Sequence, residues 1–109
     1  MKFGLSDKTY IQIKEITKNY KCTFKIFGSR ARGDFKQNSD IDIAIDGKLD
    51  EKQKYKIRNE FDLLDIPYTV DLIFMDEITK LELIKSIERE GVIFEWKDLY
   101  KGIKSMLMR

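Results

Sequence analysis

The sequence predicts an α/β (α+β) fold, in which a small mixed β-sheet carries helices packed on one face. Short runs of β-favouring residues alternate with segments of helical hydrophobic periodicity, which indicates strands separated by helices. The strand–helix–strand unit over residues 40–74 is long enough for a parallel crossover. The first two strands are joined by a shorter segment and can be antiparallel neighbours. At 109 residues, the chain can bury one core of its own.

The first half of the chain begins with a helix that Ser6 or Asp7 can cap. A strand then ends at the turn formed by Gly28 and Ser29, and a second strand closes at Gly47. The predicted elements are a helix to about residue 20, a strand over 22–27, a short basic turn or helix over 30–39 and a strand over 40–46.

In the second half, Asp50 and Gln53 are spaced as a capping pair at the start of a helix. The elements that follow are a strand over 68–74, a helix over 79–89, a short strand over 92–96 and a helix over 97–108. We expect residues 1–96 to form the functional domain and residues 97–109 to be its C-terminal helical extension. The role of that extension stays open.

Composition excludes several classes of protein. The only cysteine, Cys22, cannot form an intramolecular disulfide, and no apolar run is long enough for a membrane span. We therefore expect a cytoplasmic protein without a membrane partner. The net charge of +2 is concentrated in residues 97–109, which carry +3, so the remainder is slightly acidic. Such a body is unsuited to coating a polyanion, and no direct nucleic-acid binding is expected.

Paired carboxylates suggest the chemistry. Asp40 and Asp42 lie one residue apart in an alternating strand, so their side chains share a face of the sheet. Asp71 is the lone charge in the next predicted strand and can face the same side. Three converging carboxylates suit hard divalent cations, most plausibly Mg²⁺. Asp46 has the same parity but adjoins Gly47, and is expected to belong to the turn.

A small-residue turn lies upstream of these acids. Gly28 would let backbone N–H groups approach a triphosphate, and the Ser29 hydroxyl could bond one of its oxygens. Arg30 and Arg32 could add charge-assisted contacts to phosphate, although either could be an ordinary surface cation. The chain has no histidine, which excludes histidine-based acid–base catalysis and leaves Cys22 as a core residue rather than a nucleophile.

These residues carry a family resemblance. Gly-Ser-Arg-Ala-Arg-Gly followed by Ser-Asp-Ile-Asp-Ile-Ala-Ile, with ten residues between Gly-Ser and Asp-x-Asp, resembles the signature of DNA polymerase beta-type nucleotidyltransferases. The Ala-Arg-Gly and the closing Ile-Glu-Arg-Glu-Gly-Val-Ile-Phe-Glu are most similar to the minimal nucleotidyltransferases, or MNT proteins. The resemblance implies a palm-like sheet, with Asp40, Asp42 and Asp71 as catalytic residues on two Mg²⁺ ions. It also implies that Gly28 and Ser29 bind the triphosphate of ATP.

The resemblance also implies a partner. Many MNT proteins resemble antitoxins of HEPN-domain toxins, and the implied activity transfers AMP from ATP to a tyrosine hydroxyl of the toxin. We therefore expect a magnesium-dependent protein adenylyltransferase (AMPylase) and antitoxin, in a hetero-oligomer with its toxin. Two alternatives stay open: a non-catalytic antitoxin that binds its toxin stoichiometrically, and a nucleotidyltransferase for a small hydroxylated compound such as an aminoglycoside.

Overall fold

The computed structural model describes residues 2–94, so the predicted helix over 97–108 and the predicted end of the last strand lie outside the described residues. Four strands form one sheet in this part of the chain. The elements are α1 (Asp7–Thr17), β1 (Thr23–Phe27), α2 (Ser29–Arg32), β2 (Ile41–Asp46), α3 (Glu51–Asp62), β3 (Val70–Phe74), a 3₁₀ turn (Met75–Glu77), α4 (Leu81–Glu90) and β4 (Val92–Ile93).

The sheet is mixed, as the sequence predicts. Its strand order is β3-β2-β1-β4. β1 runs antiparallel to both β2 and β4, whereas β2 and β3 are parallel and joined through α3. The predictions of an antiparallel first pair and of a parallel crossover unit are therefore confirmed.

Local capping signals explain where two helices begin. The Ser6 side chain accepts a hydrogen bond from the Thr9 N–H at 3.2 Å, which caps α1. At α3, the Asp50 side chain accepts from the Gln53 N–H at 2.7 Å, and the Gln53 side chain accepts from the Asp50 N–H at 2.9 Å. This reciprocal pair is the predicted capping box.

The main core lies between the sheet and helices α1 and α3. Ile41, Ile43 and Ile45 alternate along β2 and are all at most 1% exposed. They pack with apolar residues of the two helices, among them Ile13 and Ile57, which are fully buried. Because side chains alternate across a strand, Asp42 and Ala44 are left to the opposite face of the sheet.

Helix α4 corrects one detail of the prediction, which placed the helices on one face. Its fully buried Ile87 packs with Phe27 and Ala44 on the face that also carries Asp42. Ile73 of β3 adds to this second cluster. Helix α4 shields the apolar residues of that face from water, away from the end of the sheet that carries the acids. None of the helices within residues 2–94 is long and apolar enough to cross a membrane.

Candidate active site

The turn after β1 is built around Gly28. Gly28 has a φ of 74°, in the left-handed region that favours glycine, and α2 starts directly after it. The first backbone bond of this short helix runs from the Arg32 N–H to the Gly28 carbonyl at 3.1 Å. The N–H groups of residues 29–31 precede that bond and have no acceptor within the helix. Donors of this kind suit an anion.

Gly28 also lies against the carboxylate of Asp42. A Cβ atom built on Gly28 would come within 2.5 Å of the Asp42 Oδ2 atom. The register of the sheet explains this approach, because Asp42 pairs with Phe27, the residue before the turn. The Gly28 turn and the carboxylate of Asp42 are therefore close neighbours.

The parallel pairing brings the third acid to the same end of the sheet. Asp71 is the register partner of Asp42, and neighbouring strands are about 4.8 Å apart. Asp40 directly precedes β2, whose first N–H, that of Ile41, donates to the Thr69 carbonyl at 2.9 Å. The structure thus brings Asp40, Asp42 and Asp71 to one end of one sheet face.

The electrostatics of Asp42 reflect this crowding. The pKa of its carboxyl group is raised, first by partial burial and then by the negative charges of Asp71 and Asp40. The guanidinium of Arg32 acts in the opposite direction and lowers that pKa. Within residues 2–94, no three acidic or cysteine side chains are arranged closely enough to hold a metal ion as they stand. The oxygen donors and their shared excess of negative charge nevertheless suit a hard divalent cation.

Arg30 has a different position from the one the motif suggested. It is only 2% exposed. Its guanidinium donates to the Ser39 carbonyl at 2.8 and 3.1 Å, to the Phe3 carbonyl at 3.0 Å and to the Gln37 carbonyl at 3.3 Å. The same group lies 5.0 and 4.8 Å from the ring centroids of Phe35 and Tyr68.

A phosphate contact from Arg30 does not fit this geometry, because its donors are taken up by backbone carbonyls. Arg30 instead has a structural role. Arg30 follows Ser29 in the turn, and Ser39 precedes Asp40, so the buried side chain ties the anion-binding turn to the acidic strand. The sequence identified a basic residue here but could not show which carbonyls would surround it.

Arg32 is the arginine whose charge acts on Asp42, where it lowers the pKa of the carboxyl group. Its side chain is 44% exposed and pairs with Asp34 at 3.3 Å and with Glu90 at 3.2 Å. Glu90 lies at the C-terminal end of α4, 58 residues further along the chain. Sequence reasoning missed Glu90, because no local spacing connects it with the turn.

Two other polar features lie away from the acidic end. Asp46 is the last residue of β2 and pairs with Thr23 at the end of the strand opposite to Asp40, so it belongs to the strand and not to the turn as predicted. The pKa of the nearby Cys22 thiol is raised to about 11, first by burial and then by the Asp46 charge.

A cavity of about 190 Å³, lined by residues such as Phe61 and Val70, lies on the side of β3 that faces the main core with α1 and α3. It is smaller than the roughly 300 Å³ at which ligand pockets begin.

A mixed sheet with a glycine turn and three acids at one end is the arrangement that the sequence predicted for a palm-like nucleotidyltransferase. Residues 11–98 match the family described as "Polymerase beta, Nucleotidyltransferase". The chain belongs to this family and has its fold.

Relatives with curated names point to the same class. MJ1217 and MJ0126 of Methanocaldococcus jannaschii, both provisionally named protein adenylyltransferases, are 39% and 38% identical to this chain over 99 residues. Each alignment covers 76% of this chain and 95% of the relative. The chain is therefore identified as an enzyme of the nucleotidyltransferase class.

Solved structures share the fold. A toxin-antitoxin structure with AMP-PNP has a TM-score of 0.59 and 23% identity, and the match covers 91% of this chain and 85% of that chain. A structure of the tri-AMPylated Shewanella oneidensis HEPN toxin in complex with MNT antitoxin has a TM-score of 0.56 and 20% identity, covering 95% and 86%. At these identities, the likeness concerns the fold.

Proposed function

We propose that this chain is a magnesium-dependent protein adenylyltransferase that moves AMP from ATP to a tyrosine hydroxyl group on a partner protein. The proposed partner is a HEPN-domain toxin, which the transfer would silence. The observation that carries the proposal is the contact between the Gly28 turn and Asp42, with Asp71 as the register partner of Asp42. One site then combines an anion-binding turn with acidic groups.

The comparisons support the choice of a protein acceptor. Two relatives are provisionally named protein adenylyltransferases, and a structural neighbour is an MNT antitoxin in complex with an AMPylated HEPN toxin. Another neighbour was crystallised with AMP-PNP, which supports ATP as the donor.

Asp40, Asp42 and Asp71 are the groups that would hold Mg²⁺. Their oxygen donors fit a hard cation. The pKa of Asp42 is raised first by partial burial and then by repulsion from Asp71 and Asp40, and such a cation would relieve that repulsion. Bound divalent ions would supply neutralisation of phosphate charge and activation of the acceptor hydroxyl.

The chain's own residues would orient the reaction. The N–H groups after Gly28 and the Ser29 hydroxyl would bind the triphosphate, and Arg32 would stabilise the charge that develops on the leaving pyrophosphate. The acceptor oxygen forms a bond to the α-phosphorus while the bond from that phosphorus to pyrophosphate breaks. The hydroxyl proton leaves the acceptor, and Asp71 is the carboxylate proposed to help remove it.

The test is transfer of label from α-labelled ATP to the partner in the presence of Mg²⁺. Asp42→Asn should reduce transfer at least about 100-fold, because it removes a charge that the transition state requires. Asp46→Asn is the matched control, since it makes the same change at the far end of the same strand. Its transfer rate should stay within about twofold of the wild type, the range of a surface substitution.

The same assay distinguishes the stoichiometric antitoxin. Catalytic silencing requires ATP and Mg²⁺ and proceeds at substoichiometric amounts of this chain, with a mass increase of one or more AMP units on the partner. If silencing needs equimolar amounts of this chain but neither ATP nor Mg²⁺, the proposed transferase activity is rejected in favour of an antitoxin that acts by binding its toxin. Undiminished transfer by Asp42→Asn would reject the assignment of the carboxylate.

A further inference from the structure

The ion pair between Arg32 and Glu90 joins the anion-binding turn to helix α4. The Glu90 Oε2 atom lies 3.2 Å from the Arg32 Nη1 atom, and the Glu90 side chain is only 24% exposed. Asp34 contacts the same guanidinium at 3.3 Å, but its side chain is 64% exposed and it belongs to the same loop. Glu90 is therefore the more enclosed of the two partners, and the one anchored outside the turn.

The position of Glu90 is electrostatically unfavourable by itself. It is the last residue of α4, where the partial negative charge of the helix end disfavours a carboxylate. It also adds a negative charge on the side of the molecule that carries the acidic site. Arg89 lies 3.6 Å from the Oε1 atom, but its side chain is 71% exposed and contributes little. The guanidinium of Arg32 is the main group that offsets the unfavourable position.

Packing of α4 fixes where Glu90 can reach. Ile87, one helical turn before Glu90, is fully buried against Ala44 and Phe27. Ala44 is the second residue after Asp42, so α4 is seated on the strand that carries the central acid. Glu90 is thus held at a defined place relative to Asp42, whereas a long arginine side chain in a surface turn has many conformers.

We propose that Glu90 is a positioning residue that holds the guanidinium of Arg32 beside Asp42, ready to contact the triphosphate of ATP. The inference rests on the proposed function. Without Glu90, Arg32 would have to be ordered at the moment of binding, which lowers affinity through lost side-chain entropy. Removal of a nearby negative charge alone would have the opposite effect and strengthen the binding of an anion.

The experiment is a double-mutant cycle on the binding of AMP-PNP with Mg²⁺, measured by calorimetry. Arg32→Gln should weaken binding roughly tenfold, as expected for loss of one charge-assisted contact. Glu90→Gln should weaken it about threefold, and should have no further effect in the Arg32→Gln background. Glu88→Gln removes the same charge from an exposed position of the same helix and should leave affinity unchanged or slightly higher.

Two results would overturn the proposal: Glu90→Gln that binds as well as or better than the wild type, or an equal loss in both backgrounds. Thermal unfolding of Glu90→Gln should match the wild type, which separates positioning from a purely structural role. In the transfer assay, KM for ATP should rise about threefold in Glu90→Gln while kcat changes little. A wild type that binds nucleotide without transferring AMP would reject only the proposed function, and one that binds none would reject both.

Discussion

Arg30 and Arg32 occupy the same turn, are two residues apart, and have opposite environments. Arg30 satisfies three backbone carbonyls from a buried position, whereas Arg32 pairs with carboxylates near the solvent. Because guanidinium spreads five donors over three nitrogens in a planar fork, it can reach carbonyls in several directions, whereas lysine carries its three donors on one nitrogen. Only the folded structure distinguishes the two residues, since the surrounding carbonyls come from residues 3, 37 and 39.

Replacement of Arg30 should therefore reduce stability. Arg30→Lys should lower the free energy of unfolding by about 2–4 kcal/mol, because buried carbonyls lose their donors. The measurement is chemical denaturation at neutral pH. Arg32→Lys is the matched control and should cost no more than about 1 kcal/mol, since the Arg32 side chain is 44% exposed and lysine keeps its charge. Equal losses in the two variants would contradict the structural role of Arg30.

Cys22 offers a prediction about pH. Burial and the charge of Asp46 raise the pKa of its thiol to about 11, and only the thiolate reacts with alkylating reagents. The alkylation rate should rise about tenfold per pH unit from pH 7 to 10 without levelling near pH 8.5, the usual thiol value. The check is mass spectrometry of the folded chain after timed exposure to iodoacetamide.

Asp46→Asn supplies the internal test for this assignment. Removal of the negative charge should lower the pKa of the thiol and speed alkylation at a fixed pH, while the part of the shift that is due to burial persists. A plateau near pH 8.5 in the wild type would contradict the buried environment of Cys22.

At the scale of elements, the sequence predicted what local chemistry determines. The Asp50–Gln53 capping box and the alternation of Ile41, Ile43 and Ile45 each depend on residues a few positions apart. The predicted third strand was two residues too long at its start, since β3 begins at Val70 rather than at residue 68. The 3₁₀ turn over Met75–Glu77 was not predicted.

Long-range packing explains the remaining difference between sequence and structure. The pattern of α4 shows an apolar stripe, but it does not say which face of the sheet that stripe covers. By contrast, the alternation of side chains within its own strand could suggest Asp71 as a third acid, because that strand lies next to the one that carries Asp42. Glu90 has no such signal, since its contact with Arg32 depends on how α4 crosses the sheet.

The Gly28 turn allows a test with two glycines that both have a positive φ. Gly28→Ala forces a side chain into a positive φ and brings its Cβ within 2.5 Å of the Asp42 Oδ2 atom. Gly33→Ala has a comparable φ of 94° but meets nothing within 4 Å. Gly33→Ala should cost about 1–2 kcal/mol of stability from left-handed backbone strain. Gly28→Ala should cost more, because its ψ of −152° places the residue in a region that only glycine adopts readily. Only Gly28→Ala should also displace Asp42.

We expect AMP transfer by Gly28→Ala to fall about 100-fold or more, a loss that misplacement of a reacting group by about 1 Å can produce. Transfer by Gly33→Ala should stay within about threefold of the wild type at a temperature where both variants are folded, because its strain is remote from the acids. Label transfer is the measurement, and far-ultraviolet circular dichroism verifies the fold. Similar activities in the two variants would contradict the contact between Gly28 and Asp42.

For the whole molecule, the main core and the candidate active site lie on opposite faces of the sheet. The large core lies with α1 and α3. At one end of the opposite face, the negative charges of Asp40, Asp42 and Asp71 repel one another. Two unit charges 4 Å apart repel by about 1 kcal/mol even in a water-like medium. The acidic end therefore lowers the stability of the metal-free protein, and a bound divalent cation should restore it.

This predicts a stability change that can be measured without any acceptor. Mg²⁺ at ten times its dissociation constant should stabilise the wild type by about 1.4 kcal/mol, which raises Tm by roughly 5–10 °C for a domain of this size. Asp42→Asn should have a higher Tm than the wild type in EDTA, because one of the repelling charges is gone, and should respond weakly to Mg²⁺. Asp46→Asn should keep the full response, since Asp46 lies at the other end of β2. A wild type whose Tm is the same in EDTA and in saturating Mg²⁺ would show that the three acids do not bind the ion in the absence of nucleotide.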